Sequence, residues 1–165
     1  MEESQHLKTI FAIIAIGVIL VLGYFLLIKN KGSLSIKPSG SSEQETKPMN
    51  VVVENTPVVG GALSAPRGFP QEIPFEQKGL VESAITYFPD QGAQQFSLSY
   101  NSSKSVATKY TEYKKYMQKA GYSITEGKST TSTKSIYGVK AEANLSVVIS
   151  NVSGKTLVQL SYLLK

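Results

Sequence analysis

A chain of 165 residues with a net charge of +5, one histidine and no cysteine is narrowly limited in its chemistry. Without cysteine, thiol catalysis, disulfides and cysteine-ligated zinc are excluded. The one histidine, His6, lies near the start, so the remainder lacks both the usual general base of serine nucleophiles and the commonest metal ligand.

Residues 1–9 form a short polar tail, read as cytoplasmic. From Ile10 to Ile28 the sequence runs IFAIIAIGVILVLGYFLLI, without a charge, an amide or a proline. At about 1.5 Å per helical residue this run matches the roughly 30 Å hydrocarbon layer of a bilayer. A backbone in that layer must satisfy its own hydrogen bonds, so residues 10–28 are expected as a transmembrane helix in contact with lipid. The run exceeds a typical signal-peptide core and no A-x-A site follows it closely, which favours an uncleaved anchor. Tyr24 and Phe25 fit an aromatic anchor at the interface. Gly17 and Gly23 sit six apart and do not make a G-x-x-x-G dimer face. Lys29, Lys31 and Lys37 outweigh Lys8 in the positive-inside count, but a short N-terminal tail before a long domain is the signal-anchor layout. The expected topology is therefore single-pass in the cell membrane with the C-terminal domain extracytoplasmic.

Residues 29–66 read as a flexible linker. The stretch KPSGSSEQETKP is rich in Ser, Pro, Glu and Lys and has no period, so it cannot bury enough apolar surface to fold alone. Its flexible span is roughly 30–35 Å. Val51, Val52, Val53, Val58 and Val59 interrupt the polar tone. They are read first as a locally extended, unpaired stretch, the alternative being a pairing with a sheet edge of the chain itself or of a partner.

Residues 67–165 are expected to form one small α+β domain. They carry 12 Lys and Arg against 7 Asp and Glu, a difference of +5. Residues 80–88 (LVESAITYF) are rich in β-branched and aromatic types and predict a strand. Pro89, Asp90, Gln91 and Gly92 signal a hairpin turn, which accounts for Asp90. Over 93–100, Phe96, Leu98 and Tyr100 alternate with Gln95, Ser97 and Ser99, the pattern of a half-buried strand. Asn101, Ser102 and Ser103 supply N-cap chemistry for a helix over 104–120. Val106, Tyr110, Tyr113, Met117 and Ala120 form its apolar stripe, with Lys104, Glu112, Lys115 and Lys119 pointing away. Gly121 ends the helix as a left-handed cap. Strands are expected over 122–126, 136–141, 145–150 and 155–164, the last with Val158, Leu160 and Tyr162 on one face. With the short 122–126 strand set aside, the order β-β-α-β-β-β gives a mostly antiparallel sheet with one packed helix.

The residues offer no catalytic, cofactor-binding or metal-ligating set. Glu72, Glu76, Glu82, Glu112, Glu126 and Glu142 are scattered and read as surface charges. The helix tyrosines, at helical spacing, read as core. Asn101, Asn144 and Asn151 head N-x-S/T triplets, which a chain this rich in Ser and Thr carries by chance. No recognition helix, RNP motif or phosphate loop accompanies the basic charge, so no nucleic-acid partner is expected.

Three stretches carry a resemblance when read together: Gly68-Phe69-Pro70-Gln71-Glu72-Ile73-Pro74, Ser99-Tyr100-Asn101-Ser102-Ser103, and Tyr113-Lys114-Lys115-Tyr116-Met117-Gln118-Lys119-Ala120-Gly121-Tyr122. Residues 67–165 resemble a group of uncharacterised small bacterial envelope domains, held by an anchor or lipoprotein signal. In that group a G-F-P-x-x-I-P lead-in precedes a β-hairpin, a helix ending in a Y…L…GW pattern, and a meander. Met117 and Tyr122 replace the Leu and Trp of that pattern. The resemblance implies a fold and a location, but no catalytic residues.

The expected function is a membrane-anchored, non-enzymatic domain that binds protein or an anionic envelope polymer, or serves as a subunit of a membrane assembly. One alternative is a pilin-like or secretion-apparatus subunit, although Leu7-Lys8-Thr9-Ile10-Phe11 lacks the processing site and glutamate of such subunits. Another is a glutamate-dependent hydrolase, which needs two carboxylates in one cleft.

Overall fold

A computed structural model describes residues 50–58, 62–127 and 129–165. The expected tail over 1–9, the transmembrane helix over 10–28 and most of the expected linker lie outside the described residues. No helix among the described residues is long and apolar enough to cross a membrane.

The described chain forms a seven-stranded sheet with one helix. The strands are β1 (Val52–Asn55), β2 (Leu80–Phe88), β3 (Ala93–Ser102), β4 (Ser123–Glu126), β5 (Thr133–Val139), β6 (Ala143–Val152) and β7 (Lys155–Leu164), and the helix α1 is Val106–Lys119. The spatial order is β1-β2-β3-β7-β6-β5-β4, with every neighbouring pair antiparallel. Two meanders, β1-β2-β3 and β4-β5-β6-β7, are thus sewn together where β3 meets β7. The helix carries the chain from β3 across to β4 at the far edge, packing on β4, β5 and β6.

Period-2 alternation selects the buried face. Phe96, Leu98 and Tyr100 of β3 lie beside Val158 and Leu160 of β7, then Leu145, Val147 and Ile149 of β6, all buried. The helix lays Val106, Tyr110, Tyr113 and Met117 on part of this face, as its spacing predicts. The rest of the face is covered by the irregular lead-in ahead of β2. Phe69 packs edge-on against Phe96 with ring centroids 6.3 Å apart, and Ile73 is 1% exposed. The opposite face of the sheet is mostly Ser, Thr, Gln and Asn.

The turns follow from local chemistry. Ser153 and Gly154 both take positive φ between β6 and β7, the tight two-residue hairpin that matches strand twist. Gly121, at φ +76, closes the helix: Tyr122 N–H reaches Met117 C=O and Gly121 N–H reaches Gln118 C=O.

Several expectations are corrected. The helix N-cap is Ser105, whose hydroxyl accepts from the Thr108 amide at 3.2 Å. Asn101 and Ser102 remain in β3, because pairing of Asn101 with Leu157 and of Ser102 with Thr156 holds them extended. Upstream of Arg67, Val52–Asn55 is not unpaired: it is the edge strand of the sheet, in register with Ala84 to Tyr87. The linker expected over 29–66 therefore includes a strand, and the folded unit draws on sequence from about residue 50.

Gly138 of β5 lies under the Tyr122 ring, where an added Cβ would stand 2.9 Å from a ring carbon. Gly138→Ala should lower unfolding stability by about 1–3 kcal/mol, measured by denaturant titration.

Candidate functional site

The densest polar constellation in the described chain centres on Lys109. Three residues after Val106 and four before Tyr113, it points inward with the apolar stripe rather than away from it, and it is 2% exposed. Its ammonium stands 3.3 Å from Glu76 Oε1 in the lead-in and 2.8 Å from Glu112 Oε2 one turn along the helix. It also lies 5.3 Å from the ring centroids of both Tyr100 and Tyr113.

The hydroxyls continue outward from the lysine as a directed chain. The Tyr100 hydroxyl favours the charged form of Lys109. Tyr113 donates its proton to the Pro74 carbonyl, so in the 2.7 Å bond between the phenols Tyr100 is the donor. Ser102 adds a 2.7 Å bond to Glu76, and Lys104 a 2.6 Å ion pair to Glu112. Sheet, helix and lead-in meet here, and their polar groups satisfy one another.

The electrostatics fix the charge states. Burial alone would lower the Lys109 pKa, but bonds to Glu112 and Tyr100 outweigh it, so the ammonium is held more firmly charged than a free lysine. Burial raises the Tyr113 phenol, reinforced by neighbouring Tyr100, and burial likewise raises Tyr100. For Glu112 burial pushes up, yet bonds from Lys104 and Lys109 prevail and its carboxyl titrates below the usual range. A permanently charged lysine and permanently protonated phenols neither accept nor release protons near neutrality. What the arrangement does chemically is clamp.

The six glutamates fall into distinct places. Glu76 and Glu112 converge on Lys109, which corrects the expectation that Glu112 points away. Glu126 sits at the β4 edge, where Lys114 at 2.6 Å and the Tyr110 hydroxyl hold it low; burial first, then Glu126, pushes the Tyr110 phenol up to about 12. Glu82 lies on the other face of the sheet, where partial burial raises its carboxyl against the opposing 2.9 Å bond from Ser99. Glu72 and Glu142 are exposed. The one glutamate held high, Glu82, is thus separated by the sheet from the pair on Lys109. Asp90 sits in the turn after β2, its Oδ2 3.4 Å from the Asn50 amide. No group of three or more His, Asp or Glu able to hold a metal occurs among the described residues.

A second feature lies at one end of the sheet. An open groove of about 530 Å³ is lined by Val52, Tyr87, Phe88, Ala93, Gln94 and Leu164, among others. Its walls are mainly apolar, and Val52, half exposed, forms part of its rim.

No protein-family model, curated protein or solved structure matches the chain.

Lys109 was not singled out by sequence reasoning. The available signal was its position inside the stripe, with Glu112 at i+3.

Lys109→Ala should destabilise the domain by about 3–5 kcal/mol, because it leaves two carboxylates facing a buried vacancy. Lys104→Ala, removing an exposed partner, should cost no more than about 1 kcal/mol. Glu112 titrates lower folded than unfolded, so its contribution is present above the ordinary glutamate range and is lost as pH falls through its folded value. Denaturant titrations from pH 7 down to 3 should therefore show a loss of stability that Glu112→Gln reduces.

Proposed function

We propose that this chain is a single-pass membrane protein that displays its sheet domain outside the cytoplasm as a binding or assembly module, without catalysing a reaction. The observation that carries the reading is the uninterrupted apolar run from Ile10 to Ile28, followed by a polar stretch and then a folded unit. Residues 29–49 would then act as the spacer, with a flexible reach of about 25 Å.

The clamp at Lys109 supports the non-enzymatic part of the reading. The most concentrated set of ionisable groups is arranged for rigidity, with its pKa values pushed away from neutrality. Basic charge supports the choice of partner. Lys78, Lys115, Lys119 and Lys155 are all exposed, whereas Glu76, Glu112 and Glu126 are already paired with lysine. Such a surface favours an anionic envelope polymer or an acidic protein face, in a salt-dependent way.

The full chain, expressed in a bacterial host, should sediment with membranes. It should resist high-salt and alkaline extraction and be released by detergent. A variant lacking residues 10–28 should remain in the supernatant. A membrane-impermeant amine label applied to intact spheroplasts should modify the sheet domain. Recovery of the full-length protein in the soluble fraction, or protection of the domain from the label, would overturn the reading.

A further inference from the structure

The edge of the sheet at β1 carries the inference furthest. Edge strands expose a row of unpaired backbone groups, and natural sheets blunt them with lysine, proline or bulges. Here the edge is Val51-Val52-Val53-Glu54-Asn55, without a lysine, a proline or a bulge. Val51, Val52 and Val53 are 41%, 49% and 60% exposed. The one charge of this edge, Glu54, accepts a 3.2 Å bond from the Tyr87 hydroxyl of the neighbouring strand.

The register shows which backbone groups of β1 face outward. Thr56 N–H bonds Ser83 C=O, making Thr56 and Ser83 a hydrogen-bonded pair. In an antiparallel ladder such pairs alternate with non-bonded ones. Glu54 and Val52, opposite Ile85 and Tyr87, thus spend their backbone bonds on β2. Val51, Val53 and Asn55 point their N–H and C=O groups away from the sheet.

This spacing is self-complementary. We propose that β1 pairs antiparallel with β1 of a second copy of this chain about a two-fold axis at Val53, continuing the sheet from one molecule into the next. Val53 then exchanges both backbone bonds with its counterpart. Val51 does the same with Asn55 of the copy, and Asn55 with Val51, so every outward group of the edge finds a partner. Val52 faces Glu54 of the copy on one side of the sheet, which keeps the two carboxylates from opposing each other. Val53 gains the copy's Val53 as a cross-strand neighbour on the other face. Pro57, lacking an N–H, ends the pairing. Antiparallel alignment also carries the copy's chain beyond Pro57, with Val58 at 62% exposed, toward the end of the sheet where the apolar groove beside Val52 opens. An isologous two-fold contact of this kind uses one patch twice and closes at a dimer.

The absence of cysteine makes the test direct. Two Val53 Cα atoms in a hydrogen-bonded pair would lie about 5.5 Å apart, inside the range a disulfide spans. The full chain in detergent micelles carries either Val53→Cys or, as a control on the outer face of α1, Lys115→Cys. Mild copper-phenanthroline oxidation should convert most of the Val53→Cys protein to a covalent dimer and leave the control largely monomeric. Sedimentation equilibrium should give a dimer mass for the parent chain. Val53→Pro removes only an outward N–H, so it should shift that mass to the monomer while the circular dichroism spectrum stays unchanged. A monomeric parent chain at tens of micromolar would overturn the proposal and leave the edge to a strand from another protein. Equal crosslinking at positions 53 and 115, or a Val53→Pro protein that keeps its fold and still dimerises, would also overturn it and move the contact elsewhere.

Discussion

The burial of one ammonium group orders much of this domain. An unpaired charge cannot be carried into an apolar interior, so Lys109 is tolerable only if carboxylates and hydroxyls are delivered to it. They arrive from three directions: Glu112 from its own helix, Glu76 from the lead-in, and Tyr100 from the central sheet. The lead-in has almost no regular structure to hold it. Its Phe69 and Ile73 nevertheless belong to the core, Phe69 against Phe96 of β3. The bonds from Lys109 to Glu76 and from Tyr113 to the Pro74 carbonyl fix where that irregular segment lies. An apolar replacement of similar size could equal the clamp in free energy, but not in the directional choice of partners.

Much of the architecture is legible in the residues because burial is one-sided. The alternation of Phe96, Leu98 and Tyr100, and of Val158, Leu160 and Tyr162, reports strands that cover a core on one face and carry polar groups on the other. The tyrosine stripe of the helix and its Gly121 stop are legible for the same reason. β1 is not, because all four of its side chains are exposed and nothing in its pattern distinguishes an edge strand from a loop. The helix start is displaced because Asn101 and Ser102 have cap chemistry locally but a ladder partner more than fifty residues away. The Lys109 cluster is hidden more deeply. Its members, at 76, 100, 109, 112 and 113, are each ordinary in sequence, and only the meeting of lead-in, sheet and helix makes them a site.

The two sides of the domain are finished to different degrees. On the helix side, polar groups are paired and aromatic rings are interlocked, as in Phe69 with Phe75 and Phe96. The other side retains Glu82 raised by partial burial, and a buried Asn144 Oδ1 with no hydrogen-bond partner among the described residues. The contrast separates a side whose polar groups are paired from one that keeps polar groups only partly matched.

The position of β7 has a consequence for folding. This strand lies in the middle of the sheet, yet it follows the other six described strands in the chain, and it alone joins the two meanders. Gln94 must wait for Leu164, seventy positions later, before the central ladder can form. Such long-range closure slows folding, since loop entropy is spent before the contacts that compensate it are made. Until β7 is made, the two meanders share no ladder, so the sheet stays open at its centre while both of its flanks can already form.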